Sequence, residues 1–344
     1  MNVPSLGVSP EYVYCRVHGA WARAFTGDRL NELLARPSPQ ALAAALGALG
    51  VASEGGGLNE GALGARIVDD LAAIRRLVDS DSAVFCSCWI GRYYLDNVKA
   101  VLKIRALGGT VGELDSRLIR SPCLPAFDAE VLLRAGATAQ LFKDIPEHPW
   151  RALLRPIVET VDRQQDLFET ETALDALFYA ELLKAAAALE EETREVGIKL
   201  TCMEIDIANA IVALRNVVHY HLPAERVSRC WVGAGRMLGR AQLAALAACT
   251  TPEQVRRELP PGYAGLFETA NAATLPAVEV ALWRHLMRKA HAAFRDASCP
   301  AASAIAYPFL KRGEQVTLTR LAEAIRLGAE PEAIRDALWE VPRV

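Results

Sequence analysis

The chain has 344 residues, with 38 Lys and Arg against 41 Asp and Glu, a formal net charge of -3 and 52% hydrophobic residues. That length can bury a large core, as two domains or one modular unit, and the near-balanced charge gives no reason to expect nucleic acid as a partner. No apolar run reaches the ~18 charge-free residues of a membrane span.

The opening MNVPSLGVSPEYVY lacks the basic-then-apolar order of a signal peptide, so a cytosolic location is expected. Eight cysteines, at 15, 86, 88, 123, 202, 230, 249 and 299, show no disulfide-scaffold spacing. They read as free thiols, with Cys202 and Cys249 acting as small hydrophobes on helices.

From Pro10 to Ala35 the chain reads as a helical start, closed by a turn at Arg36-Pro37. Ser38-Pro39 opens the next helix, with serine as N-cap and proline at the first position. The flexible Glu54 to Gly57 breaks the pattern. Asn59 then caps a helix whose Leu63, Ile67, Leu71, Ile74 and Val78 form one stripe. After an interruption at Ser80 and Ser82, a helix from about Val84 to Leu107 stops at Gly108-Gly109.

Residues 110–150 predict short helices broken by Pro122, Pro125, Gly136, Pro146 and Pro149. Long helices return at 156–197, with a break near Gln164. Residues Ile198–Tyr220 then read as one long, surrounded helix, because Met203, Ile207, Ile211, Leu214 and Val218 share a face and Ala210, Ala213 and Val217 extend it. Short elements follow around Gly233-Ala234-Gly235 and from Thr251-Pro252 to Pro260-Pro261. Leu275–Asp296, Glu314–Leu327 and a short segment from Pro331 complete a chain with almost no period-two alternation. An all-α fold is expected.

Within the long helix lie Asp206, Asn209 and Arg215, polar residues that helix propensity does not require. They fit either an internal hydrogen-bond clamp or a reactive site, since buried polar groups need partners. The clamp is the reading adopted, because the pattern recurs. Asn97 precedes Lys103 by six residues, as Asn209 precedes Arg215 and, more weakly, Glu314 precedes Arg320. These sets are 112 (209 − 97) and 105 (314 − 209) residues apart. Helix openers at Ser38, Thr138 and Thr251 recur at similar spacing. Three units are expected: 1–115, 116–222 and 223–344.

DNVKAVLK at 96–103, LDALFYAELL at 174–183, EIDIANAIVALR at 204–215 and YPFLKRGEQVTLTR at 307–320 resemble, in order, the C/d subunit family of V/A-type rotary ATPases. YVYCRVHGAW at 12–21 is similar to that family's opening, and CWVGAGRM at 230–237 to its glycine turn. Tyr94 stands where an acid would match Asp206, and Ser121-Pro122-Cys123 replaces the glycine turn of the preceding unit.

The resemblance implies three similar helical segments around a pseudo-threefold axis, forming a funnel-shaped, non-catalytic central-stalk subunit. Members of that family cap the proteolipid rotor ring, receive D/F-type shaft subunits and so connect indirectly to the nucleotide-binding head. Such a protein would lie peripherally, on the cytoplasmic face of the membrane, and serve proton or sodium transport without a cofactor of its own. Candidate contacts are Arg236, Arg240, Arg256, Arg257, Arg117 and Arg120, for which a solvated face is the plain alternative. Asn97, Lys103, Asp206, Asn209 and Arg215 are assigned to holding the units together.

An enzyme is the first rival. No P-loop, HExxH, G-x-S-x-G or dinucleotide fingerprint is present. Cys86-Ser87-Cys88 and His219-Tyr220-His221 suit core packing and a helix C-terminus better than a metal. An unrelated helical scaffold is the second rival, from which the long repeat separates the chain, since solenoids repeat about every 20–50 residues.

Overall fold

The computed structural model describes residues 8–35, 37–135, 138–164, 167–269 and 274–339, with backbone alone for 138–139, 158–164 and 268–269. Eighteen α-helices account for most of the described residues, no strand occurs among them, and the only β pairing there is an isolated bridge between Ala52 and Leu58. The helical start divides into α1 (Pro10–Trp21) and α2 (Asp28–Ala35), separated by a turn in which Gly27 has φ 58°. Three short helices, α1, α2 and α3 (Pro39–Leu49), precede the first long pair, α4 (Glu60–Arg75) and α5 (Ser80–Ala106).

Cap chemistry sets many of these boundaries. The side chains of Ser38 and Asn59 accept the N–H groups of Ala41 and Ala62, satisfying donors that have no partner inside the helix. Asp79 caps α5 from outside, bonding Asp81 and Ser82 N–H at 3.0 and 2.8 Å. The helix therefore begins at Ser80 rather than Val84, and the serines expected to interrupt it form its first turn. Gly108, at φ 65°, ends it in the left-handed conformation that favours glycine.

Short helices α6 (Val111–Arg117), α7 (Ala129–Arg134) and α8 (Thr138–Asp144) follow, then α9 (Arg151–Gln164), α10 (Leu167–Ala188) and α11 (Glu191–Arg215). The break expected near Gln164 falls at 165–166, outside the described residues, and the side chain of the opener Thr138 is likewise outside them. The central helix starts at Glu191, seven residues before the expected Ile198, and Asn216–Tyr220 form a π-helical turn. His221, at φ 50°, stops it. Of the expected stripe Ile207, Ile211 and Leu214 are buried, whereas Met203 is half-buried and Val218 exposed.

Four short helices, α12 (Ala224–Ser228), α13 (Arg240–Ala248), α14 (Pro252–Glu258) and α15 (Pro261–Thr269), lead to the last long pair, α16 (Leu275–Phe294) and α17 (Ala302–Arg326), and to α18 (Pro331–Ala337). Helix α17 begins twelve residues before the expected Glu314. Pro308 lies inside α17, six residues after its first residue, so the bond its N–H would have made to the carbonyl four residues earlier is lost and the helix continues through it.

Short links at 76–79, 189–190 and 295–301 force α4/α5, α10/α11 and α16/α17 into antiparallel neighbours. Further packing of α5 on α10, α11 on α16 and α17 on α4 closes these six helices into a ring. Helices α1 and α3 also pack against α17, and α2 against α18, so the first and last described helices meet.

Where the pairs converge, Trp89 of α5 stands edge-on to Phe178 of α10 at 5.4 Å and to Phe309 of α17 at 4.8 Å. Truncating such a buried aromatic costs roughly 3–5 kcal/mol. Beside it, Glu204 of α11 has no exposed surface. It lies 3.7 Å from Arg92 of α5 and 3.1 Å from Arg312 of α17, and accepts a 3.0 Å bond from the Tyr179 hydroxyl of α10. One carboxylate thus engages four helices of the ring. Removing it would strand the buried Arg92, a disruption of roughly 3–5 kcal/mol.

Candidate partner interface

The structure places Asn97, Asn209 and Glu314 in one role. Each sits on a long helix (α5, α11, α17) and accepts a backbone N–H from a loop. Asn97 Oδ1 takes Ile119 N–H at 2.7 Å, Asn209 Oδ1 takes Val232 N–H at 3.0 Å, and Glu314 Oε1 takes Phe25 N–H at 2.7 Å. The two asparagines also donate, to the carbonyls of Ile119 (3.0 Å) and Gly233 (2.7 Å). Glu314 cannot donate and instead forms an ion pair with Lys311, which is 1% exposed and 3.6 Å from Asp70.

Asp206 adds a second anchor to the loop at 231–239. Its two oxygens accept Met237 and Leu238 N–H, both at 3.0 Å, and Tyr263 donates from 3.4 Å. Burial raises its pKa, and these three donors act in the opposite direction. The loop passes so close that a Cβ at Gly235 would collide with the Asp206 carboxylate and lie 2.8 Å from the Cys202 carbonyl oxygen. Glycine is required there for approach. The loop after α5 needs no such residue, because Tyr94 stands where α11 has the acid and points its hydroxyl at the Pro146 carbonyl, 3.1 Å away.

Arg215 grips Glu279 of α16 through two bonds of 2.7 and 2.9 Å, joining the second and third helix pairs. Arg320 bonds the Ala337 carbonyl at 2.8 Å and lies over Trp339. Lys103 differs from both. It is exposed in the last turn of α5 and bonds no other helix among the described residues, so its charge faces the helix C-terminus and water.

Four of the six arginines proposed from sequence lie on or beside two of the three loops. Arg117 and Arg120 flank the first, both exposed, with Arg120 paired to Asp115. Arg236 and Arg240 belong to the second; both are exposed, and neither is ion-paired among the described residues. Arg256 and Arg257 stand apart on α14, where both meet Glu253 of their own helix at 2.8 and 3.6 Å, so their charge is partly spent locally.

The third loop, residues 22–27, was not anticipated, although Glu314 stood at the right spacing to hold one. It carries exposed Arg23, with exposed Arg29 just beyond it on α2. The central set of Arg92, Tyr179, Glu204 and Arg312 was also missed. Its one signal was a glutamate two residues before Asp206 in a helix otherwise apolar on several sides.

Among the described residues no group of three or more His, Cys, Asp or Glu is arranged to hold a metal, and no helix is long and apolar enough to cross a membrane. Cys86 is buried, which pushes its thiol up to about 12, and Cys88 points at the Glu181 carbonyl. His219 and His221 are exposed at the end of the π-helical turn.

Residues 13–337 match the family model described as ATP synthase (C/AC39) subunit. Among curated proteins, the C subunit of the A-type ATP synthase of Thermococcus gammatolerans is 28% identical over 204 residues, 56% of this chain. The match spans 50% of that relative's length. With almost every described helix inside the matched range, the chain belongs to the ATP synthase (C/AC39) subunit family.

Proposed function

We propose that the chain is a non-catalytic central-stalk subunit of a V/A-type rotary ATPase, a socket between the rotating shaft and the membrane proteolipid ring. The observation that carries this reading is the family match over 13–337 on a closed ring of helices. A part that passes torque must resist deformation. Interiors packed like organic crystals do so, and each described loop anchor ties backbone, rather than a mobile side chain, to a long helix. The relative's name, an ATP synthase subunit, agrees with membership of a complex.

In this proposal the chain divides into units 1–115, 116–222 and 223–344. The N-terminal loop at 22–27 does for α17 what the loops after α5 and α11 do for those helices. The loops present Arg117 and Arg120, Arg236 and Arg240, and, beside the third loop, Arg29. They face shaft subunits of D/F type, with complementary charge setting orientation more than affinity. Arg256 and Arg257 are peripheral to that surface. The proteolipid ring holds the protein on the cytoplasmic face of the membrane, for proton or sodium transport.

The test is capture of tagged protein from its native membranes in mild detergent, followed by mass spectrometry. Recovery of nucleotide-binding head, shaft and proteolipid subunits together is expected. Abundant protein arriving with none of them overturns the proposal, and an all-helical scaffold outside rotary ATPases becomes the better reading.

A further inference from the structure

Between α1 and α4 lies a cleft of about 280 Å³, distant in purpose from the loop anchors and independent of the ATPase reading. Its lining includes Arg16, Gly19 and Arg23 from α1 and its C-terminal turn, and Asp70, Ala73 and the capping Arg76 from α4 and its C-terminal end. The small residues keep it open. Gly19 is not demanded by packing, since a Cβ there would meet nothing within 4 Å.

The charges around the cleft do not balance. Asp70 is its one acid, and that carboxylate is already matched: it accepts the Tyr307 hydroxyl at 3.1 Å and lies 3.6 Å from the buried Lys311 ammonium. Against it stand three exposed guanidiniums. Among the described residues Arg16 and Arg76 have no ion-pair partner, and the Arg23 side chain donates only to the Gly19 carbonyl of α1, at 3.2 Å. Neighbouring Arg75 is directed elsewhere, to Ser87. Burial raises the pKa of Tyr307, the donor to Asp70, helped by Asp70 and Glu314, while the charge of Arg23 acts in the opposite direction. Three like charges around one cavity repel each other until an anion enters.

We propose that this cleft binds a phosphate-bearing anion, with Arg16, Arg23 and Arg76 gripping the phosphoryl oxygens. Guanidinium forks match phosphate geometry better than any other side chain. The volume falls just below the roughly 300–1,000 Å³ of sites for drug-sized ligands, so it admits a phosphoryl or diphosphoryl group and leaves any larger attached moiety outside. That group can belong to a free phosphorylated metabolite or to the head of an anionic lipid.

The experiment is calorimetric titration of the full chain with inorganic pyrophosphate at low salt, for the wild type, Arg16→Ala/Arg76→Ala and Arg288→Ala. The last removes an exposed charge from α16, outside the cleft. Saturable one-site binding is expected, weakened at least tenfold by the double substitution and unchanged by Arg288→Ala. Flotation with phosphatidylcholine vesicles, with and without phosphatidic acid, separates the sources. Arginine-dependent flotation on the acidic vesicles assigns a lipid head group, and pyrophosphate binding without flotation assigns a soluble ligand. Absence of saturable binding, or equal weakening by Arg288→Ala, overturns the proposal. Should the double variant melt early, Arg76→Gln alone provides the same comparison.

Discussion

Asn209→Ala removes the side chain that holds the second loop to α11. Two bonds disappear, one donated to the Gly233 carbonyl and one accepted from Val232 N–H. Their costs differ. Gly233 is exposed, so water can take over its carbonyl, and that loss is about 1 kcal/mol. Val232 is 6% exposed, and its N–H would be left unpaired in the interior, a penalty of roughly 1–3 kcal/mol. The sum is a destabilisation of about 2–4 kcal/mol. For a chain this long, that lowers Tm by only about 3–5 °C.

Urea unfolding followed by far-ultraviolet circular dichroism is the better assay, with the midpoint falling and the slope unchanged. Hydrogen exchange at Val232 should accelerate beyond that of helix α11 itself, since the loop is released first. Lys103→Ala, at the exposed end of α5, serves as the contrast and should change stability by less than about 0.5 kcal/mol. If Asn209→Ala costs no more than Lys103→Ala, the anchoring role assigned to the asparagine is wrong.

Other perturbations separate the remaining contributions. Gly235→Ala should destabilise by roughly 1–3 kcal/mol, because the new Cβ forces the loop off the Asp206 carboxylate; Gly262→Ala, in open space, should not, and thermal melts of the pair compare them. His148 stacks on Tyr94 at 4.1 Å, accepts Trp150 N–H on Nδ1, and burial lowers its pKa from 6.5 to about 4. The unfolded chain therefore binds this proton more readily, so its share of stability is present above pH 6.5 and lost as pH falls toward about 4. His148→Phe should flatten that part of a stability profile measured against pH. Asp206 has the opposite sign: its raised folded pKa favours the acid form, so its contribution is present below about pH 4 and declines as pH rises through the folded value. A wild-type profile that loses nothing over that range relative to Asp206→Asn would count against it. Arg236→Glu/Arg240→Glu should leave the melting temperature unchanged while the captured complex loses its head subunits, as expected of exposed charges that are not ion-paired among the described residues.

The all-α fold and many helix ends were legible because they depend on neighbours in sequence. Ser38, Asn59 and Thr251 bond N–H groups three residues away, a relation that a local pattern contains. Asn97 and Asn209 were legible as unusual, since an amide inside an apolar helix is costly without partners, but the partners themselves lie 22 to 24 residues off in loops that carry no pattern. Helix α17 begins twelve residues before the expected Glu314 and runs through Pro308, a continuation that packing rather than local pattern decides. The Glu204 set was invisible for a different reason. Arg92, Tyr179 and Arg312 come from three other helices, and nothing local distinguishes a buried arginine from a solvated one.

The third anchor shows how closure of the ring changes the chemistry needed. Asn97 and Asn209 reach loops 22 to 24 residues downstream, whereas Glu314 reaches Phe25, 289 residues upstream. Loop-closure entropy grows as about (3/2)RT ln n, so the longer connection is roughly 2 kcal/mol more costly to close than the shorter ones. A carboxylate acceptor offsets much of that difference, because hydrogen bonds to charged groups contribute about 1.5–3 kcal/mol against 0.5–1.5 for neutral ones. The buried carboxylate in turn requires Lys311, and Lys311 brings in Asp70 of α4. One substitution of acid for amide at the seam therefore links α17 to the loop after α1 and to the first long pair. That seam is thereby the most heavily charged of the anchors, since Asn97 holds its loop with an amide alone and Asn209 shares the 231–239 loop with the single acid Asp206.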